Sequence, residues 1–127
     1  MILLDTDVVV DLLRELPEAV TWFESLADEE IILPGFAAME LIQGCRSRPE
    51  LRMVQRHLGN MMVVWPTTET CDAALAVYAK ARFSHGTGLL DALVGQLAVS
   101  LDLPLNTFNR KHYAGIPNLR TAQPYSR

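Results

Sequence analysis

Three carboxylates sit in unexpectedly apolar company: Asp5 closes the run Met1-Ile2-Leu3-Leu4, Glu40 lies in Ala37-Ala38-Met39-Glu40-Leu41-Ile42, and Asp91 lies in Leu89-Leu90-Asp91-Ala92-Leu93-Val94. An acid is kept inward only where something offsets its lost hydration. Three such acids from three separate segments point to one shared cation, and hard oxygen ligands of this kind suit magnesium or manganese. Each also has a local structural reading. Asp5 with Thr6 and Asp7 can cap a helix, Asp91 can be a first-turn acid favoured by the helix dipole, and Glu40 can belong to a buried ion pair. Thr107 and Asn109 can simply form a turn.

The elements that must position these residues alternate between short strands and longer helices. Residues 2–4, 30–33, 62–64 and 103–106 read as strands, each bounded by Pro, Asp or Thr. Helical patterns cover 7–14 and 18–27, divided by Pro17, then 36–42 after Pro34-Gly35, and 49–58, ended by Gly59-Asn60. Thr68 or Thr70 can cap a helix reaching about residue 82; Ser84-His85-Gly86-Thr87-Gly88 is a loop, and 89–101 is a further helix. This order predicts a mostly parallel sheet covered by helices on both faces, because parallel strands need crossovers of that length. Ligand sites in such sheets lie at the carboxyl ends of the strands, where Asp5 falls and where Glu40 and Asp91, near helix starts, can join it.

At 127 residues the chain fits one domain spanning 1–127, with the last few residues excepted from the ordered core. Half of the residues are hydrophobic and a fifth are charged, an ordinary globular balance. No basic leader precedes Asp5 and no run is long enough to span a membrane, so a cytoplasmic location is expected. Cys45 and Cys71 stand alone, without zinc-site spacing, and read as structural thiols. The net charge of −4 argues against coating nucleic acid by electrostatics alone, but not against a nuclease, whose acidic site a bound cation largely neutralises.

Four segments in order resemble one family: Leu3-Leu4-Asp5-Thr6-Asp7-Val8-Val9-Val10-Asp11, Met39-Glu40-Leu41-Ile42-Gln43-Gly44, Leu90-Asp91-Ala92-Leu93, and Leu105-Asn106-Thr107-Phe108-Asn109-Arg110-Lys111-His112-Tyr113. Together they resemble the PIN-domain ribonucleases, and within these the VapC toxins of toxin–antitoxin pairs. The resemblance implies a PIN-like three-layer α/β/α sandwich with a short, mostly parallel central sheet. It implies a Mg2+- or Mn2+-dependent endoribonuclease with Asp5, Glu40 and Asp91 as metal ligands and Asn109 as a further site residue. It also implies a homodimer, an RNA substrate and a cognate antitoxin. The family often carries a fourth acid where this chain has Asn109, and Asn or Ser where it has Asp7, an acid able to replace part of the missing charge. A water made more acidic by the ion would attack the RNA phosphorus in line, leaving a 5′-phosphate and a 3′-hydroxyl. Asn109, Thr6 and Thr107 would orient ligands and water, Asp7 would meet the ion directly or through a bound water, and Arg110, Lys111 and His112 would hold the scissile phosphate.

Arg48, Arg52 and Arg56 recur at every fourth position, with Arg46 and His57 nearby. Like charges at that spacing repel, so an external anion explains them, either RNA backbone or an acidic antitoxin segment, unless the face is merely solvated and balanced by Glu50. Gly86-Thr87-Gly88 reads as a loop-to-helix turn, with a phosphate cradle as the lesser alternative. Two other functions fit parts of the pattern. Asp5-Thr6-Asp7-Val8-Val9 resembles the nucleophile motif of haloacid-dehalogenase-type phosphotransferases, but the only lysines are Lys80 and Lys111 and no downstream acidic pair follows. A PIN-fold module that binds RNA or protein without cleaving is the other, and the three intact acids argue against it.

Overall fold

The computed structural model describes residues 1–127. Five strands, β1 (Ile2–Leu4), β2 (Ile31–Pro34), β3 (Met62–Val64), β4 (Leu105–Asn106) and β5 (Thr121–Ala122), form one sheet in the order β3-β2-β1-β4-β5. Every pairing is parallel. The intervening helices are α1 (Thr6–Leu13), α2 (Pro17–Ser25), α3 (Gly35–Gln43), α4 (Arg48–Leu58), α5 (Thr68–His85), α6 (Leu89–Leu101) and the single turn α7 (Arg110–Tyr113). Successive strand residues point to opposite faces, and Leu3, Leu4, Ile32 and Leu33 are all buried, so both faces of the sheet are covered. The expected three-layer α/β/α arrangement follows directly. No helix is long and apolar enough to cross a membrane.

Strand order decides where a ligand can sit. The chain runs outward from β1 through β2 to β3, then returns to place β4 on the other side of β1. The crevice beyond the carboxyl ends of β1 and β4 is therefore a topological switch point. Asp5 and Asp7 follow β1, and Thr107 to Asn109 follow β4, so two segments about a hundred residues apart are neighbours by topology alone.

Three departures from the expected elements have identifiable causes. Leu103 donates its amide to Ala98 O (3.2 Å), closing α6 through Asp102 at φ 54°, so β4 starts later than residue 103. Pro104 lacks a donor, and the ladder resumes at Leu105. The short α7 and β5 went unread because four and two residues carry no periodicity; Tyr113 of α7 and, just after it, Ile116 pack on α6 at Gly95, where a Cβ would run into Ile116. Pro at the first turn of α2 and the left-handed Gly86 after α5 act as their types predict.

The last residues are also fixed, contrary to expectation. Buried Asp11 accepts hydrogen bonds at Oδ2 from Tyr125 OH (2.9 Å) and Arg127 Nε (2.9 Å). The Arg127 guanidinium lies 4.0 Å from the centre of the Phe108 ring, and Tyr125 packs edge-on to the same ring. Burial, then the bond to Asp11, pushes the Tyr125 hydroxyl above the usual phenol range. Asp11→Ala removes both charge-assisted bonds and should lower stability by about 2 kcal/mol, read from the urea midpoint at unchanged slope. A variant as stable as the parent would leave the strap energetically idle.

Candidate functional site

A cleft of about 100 Å³ at the switch point is lined by Asp5, Thr6, Asp7, Glu40, Asp91, Asn109 and Tyr113, with Leu90 and Val94 as its apolar wall. The three acids that the sequence set apart border this one space, together with Asp7. Their surroundings differ.

Asp5 is the most enclosed, 8% exposed. Its Oδ1 accepts from the Thr6 amide (2.8 Å), so it caps α1 as its position suggests. Its Oδ2 accepts from Thr107 Oγ1 (2.8 Å) and Tyr113 OH (2.9 Å), which ties the end of β1 to the segment after β4. Three donors on two oxygens leave this carboxylate little freedom to rotate. Burial, and then the charge of Asp7, push its pKa up to about 6 despite those donors.

Asp7 accepts at Oδ2 from the Phe108 amide (2.9 Å) and, at 3.4 Å, from Thr107 Oγ1. Its Oδ1 is the one buried side-chain oxygen or nitrogen in the protein without a partner. Burial raises its pKa as well, partly offset by the Phe108 and Val8 amides and by the charge of Arg127. Tyr113 is driven well above the usual phenol range by burial and by the charges of Asp5 and Asp91, so it stays a protonated donor.

Asp91 makes the returning half of a capping box, accepting from the Gly88 amide at Oδ2 (2.8 Å), while Gly88 has no side chain to supply the other half. The same oxygen lies 3.6 Å from His112 Nδ1, which in turn is 2.8 Å from Asn109 Nδ2. The loop ahead of it is a structural connection: Thr87 is buried and donates to His112 O (2.9 Å), binding α6 to α7. Glu40 departs most from its expected setting, being exposed and free of any ion pair. On α3 the buried positions are Gly35, Ala37, Ala38 and Leu41, while Met39 and Ile42 share the outer side with Glu40. Of its apolar sequence neighbours, only Ala37, Ala38 and Leu41 face the core.

The donor set fits a hard divalent cation. Four carboxylates and an amide oxygen share one small cleft, burial raises two of the acids, Asp5 with no positive charge to offset it and Asp7 with only Arg127 in part, and one oxygen lacks any donor. As the side chains stand, no three of them converge into a closed cage. Exposed, unpaired Glu40 is the member with most freedom to swing inward.

Of the other expected residues, Thr6 lines the cleft and Thr107 supports it from beneath, wholly buried. Arg110, Lys111 and His112 are all exposed on α7 and do not line the cleft, and His112 alone of the three contacts its residues, Asp91 and Asn109. Tyr113 was missed as a site residue. A lone tyrosine after a short strand gives no signal of the partner 108 positions away.

A family model described as the PIN domain matches residues 2–115. Among curated proteins, none matches the sequence at a significant level. Several solved structures share the fold. A toxin–antitoxin complex from Klebsiella pneumoniae is 23% identical over 100% of both chains, with a TM-score of 0.78. DNA-bound VapBC from Salmonella typhimurium is 22% identical over 98% of this chain and 99% of that one, with a TM-score of 0.83. VapBC-1 from nontypeable Haemophilus influenzae is 21% identical over 98% of each chain, at 0.79.

Proposed function

Because the chain belongs to the PIN domain family, we propose that it is a metal-dependent endoribonuclease serving as the toxin of a toxin–antitoxin pair. The observation that carries this reading is the convergence of Asp5, Asp7, Glu40, Asp91 and Asn109 on one cleft at the switch point of a parallel sheet. The toxin–antitoxin complexes among the structural neighbours support the biological role. On this reading residues 1–127 act as one cytoplasmic domain that forms a homodimer and is restrained by its antitoxin.

Asp5, Glu40 and Asp91 would hold Mg2+ or Mn2+, which when bound supplies Lewis acidity toward water and the phosphoryl group. The remaining chemistry belongs to the chain. Thr107, Tyr113 and the Thr6 amide lock the Asp5 carboxylate, leaving it negative toward the cleft only where a cation can meet it. The Phe108 amide and Thr107 hydroxyl hold Asp7, whose free Oδ1 can accept from a water in the cleft. Asn109, bonded to His112, adds a neutral oxygen where a further acid would raise the repulsion. His112 and, from the outer side of α7, Arg110 and Lys111 would meet the phosphodiester as it enters.

The test is incubation of antitoxin-free protein with total cellular RNA in magnesium or manganese, with EDTA and Asp91→Asn as controls. Metal-dependent fragments with 5′-phosphate ends, absent from both controls, are expected. Intact RNA in the presence of correctly folded protein would instead assign the fold to a module that binds without cleaving.

A further inference from the structure

The row of arginines on α4 takes no part in the site just described, and its surroundings are unusual. The ion pairs of the protein join Met1 to Glu29, His112 to Asp91, Arg120 to Asp102 and Arg127 to Asp11. None involves Arg46, Arg48, Arg52 or Arg56, although acids outnumber Lys and Arg by 15 to 11. All four are exposed. Glu50, the acid expected to balance them, is turned to the helix start, where its Oε2 accepts from the Arg46 amide (3.3 Å) while Ser47 Oγ caps the Glu50 amide (3.2 Å). Arg48 opens the helix, where the macrodipole disfavours a cation, and the next two arginines follow at a repulsive four-residue spacing.

An open hollow of about 490 Å³ lies on this face, lined by Pro49, Arg52, Gln55 and Arg56. Its donors are two guanidiniums and an amide, with no carboxylate and no aliphatic or aromatic anchor. A protein interface centres on such anchors, whereas a phosphate backbone needs only the donors. A second groove, of about 350 Å³, runs from the acidic cleft to the inward side of α4: Thr6 and Glu40 line both cleft and groove, Glu50, Met53 and Val54 form the groove's far wall, and the arginine hollow lies across the helix from it. Four residues advance about 6 Å along a helix, comparable with the separation of successive phosphates on an extended strand.

We infer that α4 is a backbone-binding track for single-stranded RNA, in which Arg48, Arg52 and Arg56 hold phosphates of the strand whose scissile bond lies in the cleft. This rests on the nuclease reading above for the identity of the ligand. The track carries no base recognition; it lengthens the footprint of a cleft that is too small to hold more than one phosphodiester group.

The test uses Arg52→Gln/Arg56→Gln in the full chain, with fluorescein-labelled poly(U) as probe and EDTA to prevent cleavage. Loss of two phosphate contacts should weaken binding about tenfold at low salt and make the slope of log K against log salt shallower by about 1.4, at about 0.7 per contact on a single strand. Arg52→Lys/Arg56→Lys should keep the wild-type slope, since charge and not hydrogen-bond geometry sets it. In manganese, the Gln variant should cleave poly(U) with raised KM and unchanged kcat. Unchanged affinity and slope in a folded Gln variant would overturn the track. So would loss of binding to poly-glutamate with poly(U) binding intact, which would assign the face to an acidic protein segment. A wild-type protein that binds poly(U) with the steep slope but never cuts RNA would sink the nuclease reading and leave the track standing.

Discussion

Asp5→Asn is expected to reduce RNA cleavage by about a thousandfold or more, and to leave the metal-free protein at pH 8 at least as stable as the wild type. The two effects have one cause. Asp5 is nearly enclosed, and burial together with the charge of Asp7 raises its pKa from an ordinary 3.8 to about 6. Keeping it ionised above that pH costs the fold about 3 kcal/mol, at about 1.4 kcal/mol for each tenfold change in the proton equilibrium. Asparagine removes that cost. Its oxygen can still accept from the Thr6 amide, and its NH2 can donate to the Thr107 and Tyr113 hydroxyls, which rotate to accept. Activity therefore falls because a charge is lost, while the scaffold is relieved of it. Cleavage assays beside urea denaturation in EDTA read both halves; a variant that is inactive because it is unfolded would refute this account of Asp5.

The second large effect is a dependence of stability on pH and on divalent cation. An acid whose pKa is raised on folding binds more protons folded than unfolded between its two pKa values, so stability falls as pH rises through that window. For Asp5 the window runs from about 4 to about 6, and Asp7 is shifted in the same direction. The difference in unfolding free energy between wild type and Asp5→Asn, measured in EDTA, should accordingly swing by about 3 kcal/mol against the wild type across that window, then level off. Manganese should reverse the loss: at a hundred times its dissociation constant a ligand specific to the folded state adds about 2.7 kcal/mol. That gain should grow with pH as the proton on Asp5 ceases to compete, and should largely vanish in Asp5→Asn. A wild type whose stability relative to the variant rises across the window would show that the protein already compensates the Asp5 charge without a cation.

Much of the architecture was legible because its signals are local. Pro17, Pro34-Gly35, Gly59-Asn60 and the glycines flanking Thr87 mark where helices begin and end, and the apolar triplets between them could only be strands. Alternation of the two then required parallel pairing, and parallel pairing put the first acid at a ligand-binding edge. The elements that escaped reading, α7 and β5, are too short for any period to develop, and both are held by contacts from elsewhere in the chain. Glu40 illustrates a subtler failure. Its apolar neighbours suggest burial, but on a helix only the 3.6-residue period tells which side is inward, and Met39, Glu40 and Ile42 fall on the outer side of α3 while Ala37, Ala38 and Leu41 face the core.

The sequence by itself thus determined which acids come together, the order of the elements and the edge where they meet, since each of these depends on residue type and spacing along the chain. Only the tertiary structure decided the electrostatic state of the site. Tyr113, 108 residues from Asp5, supplies a hydrogen bond; Arg127, 116 residues from Asp11, straps Phe108 and tempers the charge of Asp7. A pKa is the sum of desolvation and of every nearby charge in space, and those distances exist only once the chain has folded.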